Sequence, residues 1–536
     1  MKKIFCILAV VFAAGTVVFA ATYTVGAGKT YSTIKGLTST KTLSPGDIVE
    51  IYPGTYNEGV YWPSANKGTV SSPIIVRGMG LIKPVIDGTG LSLTGAPPSG
   101  TDSLFMVYSE NIVFENLEFK NGGVSDGGSA IRLQGGSNNI TVRNCKISHC
   151  GIGISSSTAA VGTLIVENTE IANCLWEPTD GSTHWGHNVY LQSDSIFRYC
   201  YIHDSGKGNN FKSRGHYTEL WYNYIADANS IEVDLVESTN TTAANSNAVL
   251  VGNIIIKRNA APKSGYAGND VQFIMFGRDG GEGGAFARNG TMYLLNNTII
   301  AGMAANKFLD ANSSAKYLCS NNIFYGSNTM TTGFTNAITG SNNWIPSGAA
   351  APSGFSGTLQ GTDPSFINAV SRDYHLTAAS AVINKGINNP SYLDGSGASH
   401  SGVPAYEYLA PVKSVARNSD GQLDLGAFEY GSGGGGGGGT VDPFANVKTY
   451  PNPFRLSISA DKMIKLNNIP AGASMDIFDI NGSKIRSLKE GNAGISSMIL
   501  WDGKNEGGDS VPSGTYMYTL LDGAGNKKKG KIALLK

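Results

Sequence analysis

A degenerate repeat limits the possible folds of this chain more than any other feature. Between residues 111 and 324 a tetrapeptide Asn-x-x-Ile or Asn-x-x-Phe recurs, followed each time by a second short run of alternating apolar residues. The copies start 23 to 43 residues apart, at Asn116, Asn144, Asn168, Asn253, Asn296 and Asn321, with variants at Tyr199 and Tyr222. Strand-like alternation at this interval is typical of a solenoid, in which each turn buries its apolar face only against its neighbours.

Short strands joined by Gly- and Asn-rich turns predict a parallel β-helix. Each rung should advance by one inter-strand spacing of about 4.8 Å, so that residues at equal register stack directly. Inward Ile and Phe would then form columns, and the recurring Asn a hydrogen-bonded ladder. An antiparallel β-sandwich would need hairpin turns about every 8–12 residues, and the repeat region lacks that punctuation.

Composition and the chain start bear on location and partners. The 536 residues include 70 Gly and only 15% charged residues, as expected for turn-rich β structure. Lys and Arg together number 40, as do Asp and Glu, so net charge predicts neither nucleic acid nor an anionic membrane as a partner. Two lysines and an apolar run predict a signal peptide over residues 1–20 and a secreted or cell-surface protein. We predict no transmembrane segment in the mature chain.

A change of composition divides the rest of the chain. The Gly-rich run 431–440 is interpreted as a flexible linker between the solenoid domain, residues 21–430, and a second domain, residues 441–536. Alternating segments near residues 475 and 516, with an Asn481-Gly482 turn, predict a small β-sandwich there.

Segments of the second domain resemble known export domains. They are Tyr-Pro-Asn-Pro-Phe at 450–454, Trp-Asp-Gly at 501–503, Ser-Gly-Thr-Tyr at 513–516 and the ending Lys-Ile-Ala-Leu-Leu-Lys. They resemble the Ig-like domain of flagellar hook-capping proteins and the type A C-terminal sorting domains of type IX secretion cargo. The resemblance implies an Ig-like fold and a partner in the cell surface or the secretion machinery.

The large domain resembles the pectate-lyase-like superfamily. The similarity lies in Thr-Tyr-Ser-Thr-Ile at 30–34, in Pro-Gly-Asp-Ile-Val-Glu-Ile-Tyr-Pro-Gly-Thr-Tyr at 45–56, and in closing segments at 363–366, 374–376 and 424–430. It implies a right-handed parallel β-helix whose open end is plugged by a short helix over residues 33–37. This superfamily contains lyases, glycoside hydrolases, esterases and noncatalytic surface proteins, so the fold does not select an activity.

The richest polar stretch spans three consecutive predicted rungs. If Val189, Phe211 and Ile231 or Val233 point inward, alternation puts polar neighbours on the outer face. Intervals of 20 residues also predict two charge pairs at equal register, Lys212 with Glu232 and Arg214 with Asp234. The outward residues would be Asn188, Tyr190, Lys212, Arg214, Glu232 and Asp234.

This face suggests cleavage of an extracellular uronate polysaccharide by β-elimination. The reaction needs a base for the proton α to the carboxyl group and a cation that neutralises the carboxylate. Lys212 or Arg214 is the candidate base or neutraliser, and Tyr190 or His187 the proton partner. The expected sugar-binding residues are Asn188, Asn210, Glu232 and Asp234, with Trp176, His184 and Trp185 as a subsite wall in the long turn before His187.

Several alternatives remain open. The charges can form a purely structural ion ladder, since a carboxylate partner stabilises protonated lysine and opposes its use as a base. Glu232 and Asp234 could hold one Ca²⁺; no other cofactor is expected. Gly186-His187-Asn188 with Lys212 resembles polygalacturonase elements, but the acid–base aspartates are not recognisable upstream, which disfavours inverting hydrolysis. Noncatalytic glycan-binding adhesion and a structural surface spacer are the competing interpretations.

Cysteine spacing gives one further hypothesis. Cys150 and Cys174 each follow their rung isoleucine, Ile147 or Ile171, by three residues. They should therefore stack on adjacent rungs, at a separation that permits a disulfide. Two buried free thiols are the alternative.

Overall fold

The computed structural model of the chain describes most of the two predicted domains. The described residues are 20–80, 82–93, 102–123, 128–158, 162–175, 186–257, 273–277, 286–302, 307–311, 316–327, 329–331, 338–388, 390–418, 420–431, 444, 447–450, 452–455, 463–470, 472–492, 497–522 and 526–535. The predicted signal peptide, apart from Ala20, and nearly all of the predicted linker lie outside these residues and stay predictions.

Three long parallel sheets form a β-helix, as predicted. The chain visits sheet A, sheet B and sheet C in turn, and each strand pairs with its counterpart in the next rung. The strands of sheet A are Thr22–Val25, Ile48–Ile51, Ile74–Gly78, Glu110–Glu115, Asn138–Arg143, Thr163–Glu167, Asp194–Arg198, Thr218–Trp221, Ala248–Val251, Thr291–Leu295, Lys316–Ser320, Ile338–Ser341 and Gly354–Ser356.

Sheets B and C complete each rung. The strands of sheet B are Thr55–Tyr56, Val85–Asp87, Glu118–Lys120, Lys146–Ser148, Glu170–Ala172, Tyr201–His203, Tyr224–Ala226, Ile254–Ile256, Thr298–Ile300, Ile323–Tyr325, Trp344–Pro346 and Leu359–Gly361. Those of sheet C are Val60–Trp62, Phe105–Val107, Ser129–Leu133, Ile152–Ser156, Val189–Leu191, Phe211–Ser213, Val233–Leu235, Ile274–Phe276, Lys307–Ala311 and Thr329–Thr331. A short 3-10 helix, Thr239–Thr241, lies in one turn from sheet C to sheet A.

Apolar columns fill the interior, as the repeat predicts. Residues at equal register in sheet B stack over eight rungs, and all are fully buried. They are Phe119, Ile147, Ile171, Ile202, Ile225, Ile255, Ile299 and Phe324. Burial of such columns against their neighbours is the main stabilising contribution expected in a solenoid.

The predicted asparagine ladder is confirmed, with a correction of its register. Five buried asparagines at the turn between sheets A and B donate side chain to side chain at 2.9–3.0 Å, in the order Asn223, Asn253, Asn297, Asn322 and Asn343. Most asparagines of the repeat lie one residue earlier, at φ values near +55°, where asparagine is tolerated better than most residues. The copy at Asn253 is the exception, because Gly252 takes that left-handed position.

A helix plugs the first rung, which confirms the predicted cap. The helix Ile34–Thr40 begins after Thr33, whose hydroxyl accepts the Gly36 amide at 2.9 Å. Glu58 accepts the first helical amides at 2.8–2.9 Å. Ile34 and Leu37 are fully buried, so the helix closes the apolar interior at this end.

Residues 362–431, here called the return segment, fold back over the solenoid. Their strands pair as three hairpins, Phe366–Asn368 with Asp373–Leu376, Ser391–Leu393 with Ser399–Ser401, and Tyr406–Leu409 with Lys413–Ala416. On sheet A, the Tyr222 hydroxyl accepts the Ala405 amide at 2.8 Å, and the rings of Trp221 and Tyr392 lie 5.9 Å apart. The return segment therefore covers the outer face of sheet A in these rungs.

The same segment covers sheet B. Arg372 binds both carboxylate oxygens of Asp227 at 2.5 and 2.8 Å, next to the sheet. The Thr298 hydroxyl accepts the Ala427 amide at 2.9 Å. Residues of both parts share one buried apolar cluster, which includes Ile254, Ile300, Phe366, Tyr374 and Phe428.

The C-terminal residues form a separate pair of sheets around one apolar core. One sheet has the order Lys448–Tyr450, Ile464–Asn467, Met498–Trp501. The other has the order Phe454–Arg455, Lys527–Leu535, Gly514–Leu521, Ser474–Phe478, Lys484–Lys489. The predicted Asn481-Gly482 turn joins the last two strands, with Gly482 at φ +85°. This arrangement agrees with a small β-sandwich; its Ig-like character stays a prediction.

The structure has two free thiols where a disulfide between Cys150 and Cys174 was considered. Cys150 and Cys174 are both buried free thiols. Each thiol donates to a carbonyl two residues earlier, that of Ser148 at 3.4 Å and that of Ala172 at 3.6 Å. The proposed disulfide is absent.

Candidate functional site

Tyr190, Lys212 and Asp234 lie side by side on the outer face of sheet C. Their backbones pair on three adjacent strands. Their neighbours Val189, Phe211 and Val233 point inward and are fully buried, as alternation requires. The three polar residues therefore form a row across the strands.

The register corrects the predicted charge pairs. Sheet C strands recur here at 22 residues, because Phe211 pairs with Val233, so Lys212 stands beside Asp234. The predicted pairs of Lys212 with Glu232 and Arg214 with Asp234 assumed an interval of 20 residues and are wrong. The Lys212 ammonium lies 2.7 Å from the Asp234 carboxylate.

The Lys212–Asp234 pair is largely shielded from water. The side chains are 13% and 1% exposed, respectively. Asp234 also accepts the Asn209 side-chain amide at 2.6 Å. A buried carboxylate held by a cation and an amide is fixed in place, and it holds the lysine cationic at one position on the face.

Arg214 follows the strand and is almost completely buried. Its guanidinium donates to the Glu237 carbonyl, and its own carbonyl accepts the Ser238 hydroxyl at 2.8 Å. These contacts anchor Arg214 to the turn that leads from sheet C to sheet A. Its charge also acts on His187 nearby.

His187 is a neutral hydrogen-bond donor in this arrangement. Its Nδ1 accepts the Asn209 amide at 2.9 Å, so the proton of the neutral ring is on Nε2. Burial, with the positive charges of Lys212 and Arg214, lowers the pKa of His187 well below its usual value. Its ring centre lies 5.3 Å from that of Tyr190, so the donor belongs to the same cluster.

Asn188, Asn210 and Glu232 do not share the outer face, contrary to prediction. The three are fully buried. Asn188 donates to Asn210 at 2.8 Å, and Asn210 donates to Glu232 at 2.6 Å. They precede the strands of sheet C and belong to turns, where strand alternation does not apply.

This buried ladder fastens the turns from sheet B to sheet C. Asn188 and Asn210 donate to the carbonyls of His203 and Ala226, each at 2.7 Å. Glu232 accepts the Ala228 amide at 2.8 Å. Burial raises the pKa of Glu232, although the nearby Lys257 acts in the opposite direction.

The geometry does not support the calcium hypothesis at this point. Glu232 is engaged by Asn210 and Ala228, whereas Asp234 is engaged by Asn209 and Lys212, so the two carboxylates do not converge. Among the described residues, no group of three or more His, Cys, Asp or Glu side chains could hold a metal ion. Trp176, His184 and Trp185 lie outside the described residues and stay predictions.

The row extends well beyond the predicted residues. Toward the N-terminus it continues through Ser155, Arg132, Met106 and Tyr61, and toward the C-terminus through Met275 and Asp310. Nine positions at about 4.8 Å span roughly 38 Å. Arg132 was missed because Ser155 and Tyr190 lie 35 residues apart in sequence, whereas the following strands of sheet C recur at 22 residues. The regular interval therefore does not extend back from Tyr190 to Ser155 and Arg132.

Aromatic and charged side chains mark the N-terminal part of this row. The rings of Tyr61 and Tyr108 lie 5.6 Å apart, in edge-on contact. Arg132 forms an ion pair with Asp102. Because these side chains lie in line with Tyr190 and Lys212, the mixed polar and aromatic row on sheet C is the candidate functional face.

Comparisons with known proteins give only distant likeness. No protein-family model and no curated protein matches the chain. One similar solved structure is PorZ, a bacterial surface component of the type-IX secretion system of Porphyromonas gingivalis, at 23% identity over 19% of this chain and TM-score 0.16; the match spans only 13% of PorZ. An alginate lyase from Paenibacillus sp. str. FPU-7 gives 17% identity over 59% of this chain and 99% of that one, with TM-score 0.38.

A rhamnogalacturonan lyase gives 12% identity over 65% of this chain and 91% of that one, with TM-score 0.42. The β-helix described above rests on the strand pairing of this chain itself. In the part of the chain that the structure describes, no helix is long and apolar enough to cross a membrane.

Proposed function

We propose that this chain is a secreted or cell-surface protein that cleaves an extracellular acidic polysaccharide by β-elimination on the outer face of sheet C. One observation carries the proposal. A lysine cation, Lys212, is fixed beside a phenol, Tyr190, on adjacent strands at the outer face of sheet C.

The residues divide the reaction between them. The Lys212 ammonium neutralises the uronate carboxylate, which makes the proton α to it easier to remove. The Tyr190 oxygen takes that proton while its own phenolic proton passes to the departing glycosidic oxygen, as the C–O bond breaks and a C=C bond forms. His187 donates from Nε2 to the sugar, and Arg214 adds positive charge. Atoms and charge balance without a metal or a redox partner.

One observation favours a second function, noncatalytic glycan binding. Lys212 is already paired with a carboxylate that is 1% exposed, and such a pair can serve structure alone. A glycan could then be held along the row by Lys212, Arg132 and the Tyr61–Tyr108 pair without being cut. The attachment or export role predicted for residues 441–536 fits both functions and rests on sequence resemblance.

Ultraviolet absorbance separates the two. We expect the full-length protein to generate absorbance from unsaturated uronides on at least one polymer in a panel of acidic polysaccharides, and none on neutral dextran. Binding to an acidic polymer without new absorbance would replace the lyase by the glycan-binding protein. Neither binding nor absorbance over the panel would reject both.

A further inference from the structure

The five-stranded C-terminal sheet has one face on its core and a second face that carries cations. The strand Lys527–Leu535 buries Ile532 against the core. Alternation therefore turns Lys527, Lys529 and Lys531 to the opposite side, and all three are exposed. Their backbone positions repeat at about 6.8 Å along the strand.

Neighbouring strands add cations in the same rows. Strand pairing places Lys489 in the row of Lys527, and Lys484 in the row of Lys531. Arg455 stands beside Leu535 at the end of the strand. We call this surface the basic face, which comprises Arg455, Lys484, Lys489, Lys527, Lys529 and Lys531.

Little negative charge offsets the basic face. In these rows the pairing places one carboxylate, Asp476, which accepts the Ser487 hydroxyl and lies 3.8 Å from the Lys484 ammonium. Within the described residues, no acidic side chain pairs with Lys527, Lys529 or Lys531. In these rows and at the strand end, six cations thus face one anion over an area of about 27 by 19 Å, on a chain whose net charge is zero.

We propose that the basic face binds a linear acidic polysaccharide. Cations in straight rows at regular spacing match a chain of repeated carboxylate or sulfate groups. Lysine ammonium groups act as mobile point charges, so they tolerate variation in the position of the anions. The site is distinct from the face of sheet C, and the inference stands whether or not that face is catalytic.

An anionic lipid surface is the less suitable occupant. Binding to a membrane surface draws strongly on apolar side chains that enter the headgroup layer. Here the large exposed apolar side chains, Leu521 and Leu535, lie at opposite ends of their strands. The middle of the face carries Lys529 and Thr519, and the next row holds Phe478 and Met517, which are half-buried between Lys484 and Lys531.

Charge reversal in the full-length protein tests the proposal. Lys529→Glu/Lys531→Glu is compared with Lys448→Glu/Lys504→Glu, which changes net charge equally at two exposed lysines outside the basic face. The readout is the Kd for polygalacturonate at low salt, with dextran and phosphatidylglycerol vesicles as parallel probes. Thermal unfolding checks that both variants fold.

We expect the first variant to weaken polygalacturonate binding about tenfold or more, and the control to change it less than about twofold. The wild-type affinity should fall as salt shortens the Debye length below about 10 Å. Equal losses in both variants, no loss in either, or binding to vesicles but not to polygalacturonate would overturn the proposal. Lys529→Glu/Lys531→Glu should leave the turnover of short oligouronates unchanged. If the wild-type protein shows no lyase activity but this variant still loses polygalacturonate binding, the basic face is supported and the lyase proposal is not.

Discussion

The Lys212–Asp234 pair shows how the outer face can hold a buried charge with a small net desolvation penalty. A buried carboxylate is stable only when cations or donors satisfy it, and here Lys212 and the Asn209 amide both do so. The lysine in turn keeps its charge, because its partner is fixed in the sheet. That makes Lys212 better suited to neutralise a carboxylate than to act as a general base.

Removing one member of this pair should cost more than removing both. We expect Lys212→Met to lower the free energy of unfolding by about 3 kcal/mol, since it leaves Asp234 buried without its cation. Lys212→Met/Asp234→Asn should recover part of this loss. Chemical denaturation of the single and double variants measures the coupling, and additive losses would show that the two groups do not depend on each other.

His187 gives a pH signature. The folded protein keeps this ring neutral, whereas the unfolded chain takes up a proton below about pH 6.5. Its contribution to stability is therefore complete above that pH and is lost as the pH falls, by up to about 1.4 kcal/mol per pH unit. We expect His187→Asn to flatten the dependence of stability on pH, measured by thermal unfolding from about pH 7.5 to about pH 5, on either side of about pH 6.5.

A matched control for His187 is His149, which is exposed and sits at φ +55°. Asparagine tolerates this backbone conformation, so His149→Asn should fold normally and keep the slope of the wild type. If His187→Asn and His149→Asn give the same slope as the wild type, the buried neutral ring does not contribute.

At the scale of strands and turns, asparagine ladders fix the corners of the solenoid. Each amide in the ladder accepts from one neighbour and donates to the next, and it also satisfies backbone groups that a turn would leave unpaired. Asn297, for example, accepts the Asn253 amide and donates to the Leu250 carbonyl. Loss of one member therefore leaves several buried polar groups without partners.

We expect Asn297→Ala to destabilise the protein by about 2–3 kcal/mol, because buried donors and acceptors lose their partners. Asn138→Ala removes an exposed asparagine from the same solenoid and should change stability by less than about 0.5 kcal/mol. Urea unfolding compares the two variants, and equal effects would contradict a structural role for the ladder.

The elements also show what periodicity can and cannot predict. Alternation predicted the inward columns and the outward Tyr190 and Lys212, because within a strand side chains must alternate. It misplaced Asn188 and Glu232, since the strand boundary falls after them and a turn does not alternate. The Lys212–Asp234 register was missed because the length of a rung depends on its turns, which carry no periodic signal.

At the scale of the whole molecule, the return segment covers part of the outer surface of the solenoid. It covers sheets A and B in the rungs that it contacts. A buried cluster, in which Arg417 binds Glu429 at 2.6 Å, holds the segment itself together. Glu407 accepts the Glu429 amide within the same cluster. Resemblance in residues 424–430 predicted a closing region, but its position over two faces depends on contacts more than 100 residues apart in sequence.

The stability of this buried cluster should depend on pH. Burial raises the pKa of Glu429 to about 7, although Arg417 opposes the shift. The folded protein thus holds a proton that the unfolded chain releases, so this contribution is greatest below pH 4.5 and is lost as the pH rises through 7. We expect Glu429→Gln to remove roughly 3 kcal/mol of pH dependence across this window, measured by thermal unfolding; an unchanged profile would contradict the assignment.

The central claim is that the outer face of sheet C acts on an acidic polysaccharide through Lys212. Its most direct test is the rate of unsaturated uronide formation by Lys212→Met beside Lys146→Met, a lysine paired with Glu170 on sheet B. Both variants are first checked for folding, and Lys212→Arg tests whether a cation alone restores turnover. We predict a loss of about 10²–10⁴-fold for Lys212→Met, little change for Lys146→Met and partial recovery with arginine. Equal rates for Lys212→Met and Lys146→Met would contradict the claim.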